Sequence, residues 1–193
     1  MSPGRIPSNR RGLSYTSSNT LRDLRASVVK NAYDHAMIRA ATPGDTHAIA
    51  SMIRALADYE HLTDQVVLDE DDLRTHLFGE YRYAEALIAE DSGEAVGFAL
   101  FFPHYSTFHG QPGMYLEDLF VFPEHRGGGH GKALLARLAQ ICVERGAPRL
   151  DWSVLDWNEP SIKFYRSLGA QPMDEWTTFR LTGDALRELG EPA

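Results

Sequence analysis

The stretch Arg126-Gly127-Gly128-Gly129-His130-Gly131 is followed at once by Leu134, Leu135, Leu138, Ile141 and Cys142, spaced as one face of a helix. Directly upstream, Met114 to Phe122 is the strongest strand of the chain, apolar on both faces except for Glu117 and Asp118. A strand that feeds a glycine loop and then a helix predicts a right-handed crossover to a parallel strand. Three successive glycines also strip side chains from a helix entrance, where unpaired N–H groups and the positive dipole end favour an anion, with phosphate the obvious candidate. Glycine-rich loops serve equally as plain turns, and on these six residues alone the two readings stand level.

Two phosphate motifs are excluded. A Walker A loop requires a hydroxyl residue after its lysine, and Lys132 is followed by Ala133. A dinucleotide fingerprint follows the first strand of a βαβ unit, whereas this loop comes late, behind Phe122-Pro123-Glu124-His125. An anion loop of another type remains.

Working outward, Met37-Ile38-Arg39-Ala40 reads as a short strand, and Thr42-Pro43-Gly44-Asp45 supplies a helix start before Ile49, Met52, Ile53, Leu56 and Ala57. A second helix is predicted over Asp69 to Leu77. Ala84 to Glu90 and Ala95 to Phe102 form an antiparallel hairpin about the turn Asp91-Ser92-Gly93-Glu94. Pro103 through Gly113 reads as loop. After the glycine loop and its helix come a strand Leu150 to Leu155, a short helix after Asn158-Glu159-Pro160-Ser161, and a last strand near Thr177 to Leu181. The expected fold class is α+β: a mixed, mostly antiparallel central sheet flanked by helices, in a single domain.

With 193 residues and 43% hydrophobic content the chain is long enough for one well-formed core. A single cysteine, Cys142, excludes an internal disulfide framework and fits a reducing compartment; on the apolar helix face it reads as a buried structural thiol. No run approaches the roughly 18 apolar residues of a membrane span, so no membrane association and a cytoplasmic location are expected. Residues 1–36 differ from the rest, carrying six basic residues against two acids with many Ser and Asn. They read as a basic disordered extension, a transit-like peptide, or sequence upstream of a start at Met37. Taking them from the totals of 19 basic and 27 acidic residues leaves 13 and 25 in residues 37–193. So acidic a body repels nucleic acid and attracts cationic small molecules.

Glu117 and Asp118 are the next anomaly. Adjacent residues in a strand point to opposite faces, so each requires its own partner, water or ligand. The third is Trp157-Asn158-Glu159-Pro160-Ser161-Ile162-Lys163-Phe164-Tyr165 ahead of Leu168-Gly169-Ala170. By itself this reads as a capped helix burying an aromatic pair.

Together, the Tyr115 to Val121 strand, the Arg126 to Gly131 loop and the Asn158 to Ala170 segment, in this order and spacing, resemble the GNAT family of N-acetyltransferases. Within it the chain most resembles the diamine (spermidine/spermine) and thialysine N-acetyltransferases, over residues 37 to 182. The resemblance implies acetyl-CoA as donor, with its pyrophosphate held by Arg126, Gly127, Gly129 and Gly131, and Gly128 and His130 at the variable positions. It implies that Leu119, Phe120 and Val121, beside a strand bulge, pair with the pantetheine arm, and that Asn158 and Ser161 lie along it. It matches Tyr165 to the general acid and Glu117 to the water-relayed base. Homodimerisation is implied in the same way.

The chemistry independently requires such groups. A primary amine of pKa about 10.4 costs about 4.6 kcal/mol to deprotonate at pH 7, so a carboxylate base is needed. A thiolate leaving group is protonated by a nearby phenol, and the thioester oxygen needs a donor, for which a strand amide near Leu119 or Phe120 is the candidate. With Cys142 in the core, no acetyl-enzyme is required.

The acceptor is a small cationic amine. Tyr59, Glu60, Asp64, Glu117 and Asp118 are the candidates to line its slot, and a diamine or polyamine is the first expectation. The alternatives are a lysine-like amino acid of the thialysine type and a non-catalytic acyl-CoA-binding module. Among the eight histidines, His104 with His109 and His125 with His130 are five apart without a carboxylate or cysteine at ligand spacing, so no metal is expected.

Overall fold

The computed structural model of the protein describes residues 37–192, and the readings of residues 1–36 fall outside them. Contacts divide the chain into two compact units, one ending at Trp152 and one beginning at Ser153.

The first unit carries β1 (Met37–Ala40), α1 (Thr46–Tyr59), α2 (Glu70–Phe78), β2 (Glu85–Asp91), β3 (Glu94–Ser106), β4 (Gln111–Val121), α3 (His130–Glu144) and β5 (Leu150–Trp152). The five strands lie in the order β1-β2-β3-β4-β5. The first four pair antiparallel, and β5 pairs parallel to β4, as the crossover predicts.

Local chemistry sets the helix starts. Asp45 accepts the Thr42 N–H at 2.7 Å and the Thr42 hydroxyl at 2.8 Å, closing the 3-10 turn Pro43–Asp45 that runs into α1. Asp69 caps α2 by accepting the N–H groups of Asp71 and Asp72 at 2.8 and 3.0 Å, so the helix starts one residue later than expected. The β2–β3 hairpin turns on Ser92 (φ 53°) and Gly93 (φ 86°), the paired positive φ values of a two-residue turn that matches strand twist.

The predicted loop from Pro103 to Gly113 is instead an extended hairpin, with Pro103 opposite Met114 and Ser106 opposite Gln111. Proline is tolerated because no ladder bond needs its N–H. The β2 pairing ends at Phe101, and the Met114 N–H is turned to the Arg149 carbonyl on the β5 side.

Ile49, Ala50 and Met52 of α1 and Leu73 and Leu77 of α2 form one core cluster with Ala86, Ile88, Phe98 and Phe120 of the sheet. The intervening strand residues Leu87, Ala89, Ala99 and Phe101 point to the other face and are also buried. On α3, which packs against β1 to β4, Leu134, Leu135, Leu138, Ile141 and Cys142 are buried. Burial pushes the Cys142 thiol up, as suits a structural cysteine.

The second unit carries α4 (Glu159–Ser167) and α5 (Gly183–Gly190). Asn158 caps α4 by accepting the Ser161 N–H at 3.3 Å. At its other end the Ala170 N–H bonds to the Tyr165 carbonyl and the Gly169 N–H to that of Arg166, with Gly169 at φ 91°. This helix-ending motif explains Leu168-Gly169-Ala170 and fixes the backbone that carries Tyr165. Two expectations are corrected. The strand over Leu150 to Leu155 stops at Trp152, and Thr177 to Leu181 forms no strand, since no neighbouring ladder pairs with it among the described residues. The α5 helix was not anticipated.

Candidate active site

Register across β3 and β4 locates the bulge. Leu100 lies opposite Asp118 and Phe101 opposite Leu116, so Glu117 is the extra residue. The consequence is a change of parity along β4. Before the bulge Leu116 shares a face with Phe101; after it, Leu119 shares that face with Ala99. Glu117 alternates away from Leu116, and Asp118 shares the face of Leu100, which packs against the α1–α2 cluster. Both acids therefore face the α1–α2 side, not opposite sides as strict alternation requires.

Asp118 is partly buried there, whereas Glu117 is exposed. Burial, then the neighbouring charges of Glu117 and Glu60, push the Asp118 carboxyl up to about 7. Glu60, just past the end of α1, is itself raised by burial. Three carboxylates thus converge on one patch, which favours a cation and lets one of them exchange a proton near neutrality. Asp64 is exposed in the 3-10 turn Thr63–Gln65 and is not among the charges acting on Asp118.

The bulge also marks where β4 loses its second neighbour. Pairing with β5 ends at Leu116 opposite Trp152. The Phe122 N–H bonds to Val96 at 3.0 Å, so alternation turns Phe122 and Phe120 toward β3 and the N–H and C=O of Leu119 and Val121 away from it. The Val121 carbonyl accepts Arg126 Nε at 3.0 Å. Phe120 is held in the core by its side chain and directed to β3 by its backbone, so it does not reach the open edge.

The glycine loop leaves β4 through the 3-10 turn Pro123–His125. Gly127 and Gly129 have φ of 82° and 87°, a region that costs other residues about 1–2 kcal/mol. At Gly128 a side chain would meet the His130 ring at 3.1 Å. Each glycine thus has its own reason: two for backbone hand, one for close approach. Gly129 precedes α3, whose first N–H groups, from His130, Gly131 and Lys132, have no intrahelical acceptor. Glycine here clears a path to those N–H groups. The Arg126 guanidinium lies 4.7 Å from the centroid of the Tyr59 ring and 5.8 Å from that of Phe120. Tyr59, expected at the acceptor slot, thereby also braces the loop.

In the second unit, Asn158 is buried at the cap of α4, Ser161 lies in its first turn, and Tyr165 packs beside Phe164 with ring centroids 5.4 Å apart.

Residues 49–170 match the model of the family described as Acetyltransferase (GNAT). The chain is 42% identical over 164 residues to the thialysine N-epsilon-acetyltransferase of Bos taurus, covering 79% of this chain and 96% of that protein. It is 32% identical to the human spermidine/spermine N(1)-acetyltransferase-like protein 1, over 83% of this chain but 24% of that one. An integron cassette protein from the mobile metagenome of V. cholerae superposes with a TM-score of 0.69 at 27% identity, covering 82% of this chain and 99% of that structure.

Proposed function

The chain belongs to the GNAT family of acetyl-CoA-dependent N-acetyltransferases, and from that premise we propose that its acceptor is the side-chain amine of a lysine-like amino acid such as thialysine. The chain is 42% identical to the thialysine enzyme of Bos taurus and 32% identical to the spermidine/spermine-like relative. This supports the amino-acid acceptor over the diamine or polyamine. The observation that carries a cationic acceptor is the convergence of Glu60, Glu117 and Asp118 produced by the β4 bulge.

The cleared glycine backbone and the open positions of β4 fit an extended anionic donor. In this reading the N–H groups from Gly127 to Lys132 hold the pyrophosphate. Leu119 and the Val121 N–H pair with the pantetheine arm, and Asn158 and Ser161 also bind it. Bound acetyl-CoA supplies the acetyl group as an activated thioester.

The chain's own groups do the rest. Glu117, exposed at the bulge, relays the amine proton through water, and Asp118, held near neutrality, is the acceptor best matched to it. The Leu119 N–H donates to the oxygen that gains charge. Tyr165 gives its phenolic proton to the departing thiolate. Attack is direct, within a ternary complex.

The same reading makes the protein a homodimer in which the exposed Trp176 and Phe179 are covered by the second copy. Sedimentation equilibrium at twice the chain mass is the expected result, and a monomer at micromolar concentration removes this part.

The deciding experiment is acetyl-CoA turnover across thialysine, lysine, ornithine, spermidine and short diamines. At least ten-fold higher kcat/KM for thialysine than for spermidine is expected. The reverse order restores the polyamine reading. Acetyl-CoA binding without turnover on any amine favours a non-catalytic module.

A further inference from the structure

The sequence around His125 and His130 offers no carboxylate at ligand spacing, but the fold brings one. Asp91 ends β2 at the tight Ser92-Gly93 turn, His125 closes the 3-10 turn before the glycine loop, and His130 is the first residue of α3. Asp91 Oδ2 lies 3.5 Å from His125 Nδ1 and 4.0 Å from His130 Nε2, and the three donor atoms all fall within 4.8 Å of one another.

These separations are too long for hydrogen bonds and too coherent to ignore. The His130 ring is 5% exposed, and its Nδ1 has no hydrogen-bond partner. The nitrogen turned toward Asp91 is Nε2, so a cation held between Asp91, His125 and His130 meets a buried imidazole lone pair there. Tetrahedral zinc with bonds of about 2.0–2.2 Å sets its donors about 3.4 Å apart, so each atom here needs to move by less than about 1 Å. Two imidazoles and one carboxylate suit zinc, cobalt or nickel better than calcium or magnesium.

We propose that Asp91, His125 and His130 form a binding site for a divalent transition metal of the zinc type, with a fourth position left to water. The three ligands come from the β2–β3 turn and from either side of the glycine run. Binding therefore pins residues 125 and 130 to the sheet and fixes the conformation of the loop between them. The Gly128 backbone, already packed against the His130 ring, is held with it. This site is independent of which amine the enzyme acetylates.

The test is calorimetric titration of the full chain with Zn2+ alone in a non-coordinating buffer, alongside thermal unfolding with and without the metal. Because His130→Ala removes a buried ring, the variants are Asp91→Asn and His125→Gln, both at partly exposed positions, with the exposed His47→Gln as control. One saturable Zn2+ site per chain is expected, with a rise in unfolding temperature, affinity at least ten-fold weaker in both test variants, and no change in the control. Absence of saturable binding to the unaltered chain overturns the proposal. So does affinity unaltered by either test substitution, or reduced equally by the control.

Discussion

The Arg126 guanidinium lies over the ring of Tyr59, 4.7 Å from its centroid, while its Nε donates to the Val121 carbonyl at 3.0 Å. One side chain thereby joins the glycine loop, the last turn of α1 and the bulged half of β4. Lysine keeps the charge but loses the planar stack and the fixed Nε donor. Arg126→Lys is expected to raise KM for acetyl-CoA five-fold or more and to change kcat less than two-fold. Unchanged KM in steady-state assays removes Arg126 from the cofactor site.

Asp118 and Glu117 respond differently to substitution if Asp118 is the proton acceptor. The Glu117 charge is one of the causes that hold Asp118 near 7. Glu117→Gln should move the acidic inflection of kcat/KM to lower pH, and Asp118→Asn should abolish it and lower the rate at pH 7.5 by about 100-fold. If instead Glu117→Gln abolishes the inflection and Asp118→Asn leaves it, Glu117 is the acceptor.

The raised Asp118 carboxyl also has a stability signature. Its folded value of about 7 lies above the ordinary aspartate value of 3.8. Between those values the folded state keeps a proton that the unfolded state has released. Its stabilising contribution is full below pH 4, declines as pH rises through 7, and is absent above. Asp118→Asn should therefore unfold at a higher temperature than the unaltered protein at pH 8.5, with the difference shrinking toward pH 4. An equal difference at both ends of the range contradicts the shift.

Asp45 runs the other way. Its two oxygens accept Arg39 Nη1 and Nη2 at 2.8 and 2.7 Å, and the guanidinium holds its carboxyl down at about 2. The stability this ion pair contributes is present above pH 4 and lost as pH falls toward 2. Asp45→Asn should cost about 2 kcal/mol at pH 7 by urea denaturation, and close to nothing at pH 2. A constant cost at both pH values assigns the effect to packing.

Much of the fold is legible in local pattern. The β2–β3 hairpin follows from Asp91-Ser92-Gly93-Glu94, because only that turn geometry matches the strand twist. The α1 start follows from Thr42-Pro43, and the loop-to-helix junction from the glycines at 127 to 129. Where pattern misled, a neighbour decided. Pro103 reads as a strand breaker, yet with β2 ended at Phe101 it sits in β3 without losing a bond. Thr177 to Leu181 has strand composition, yet no described strand pairs with it.

The sequence by itself determined the chain's chemical resources: the glycine loop at a helix entrance, the adjacent acids, the capped helix with its tyrosine, and the family these identify. Those features depend on residue type and spacing, which are written in the chain. Only the tertiary structure decided that Glu117 and Asp118 face the same way, because a bulge is a mismatch of register between two strands and neither strand alone contains it. It likewise decided that Asp91 meets His125 and His130, which a hairpin and a crossover bring together from distant segments. Proton affinity and ligand geometry follow from such convergence: both depend on distances through space that sequence spacing does not encode.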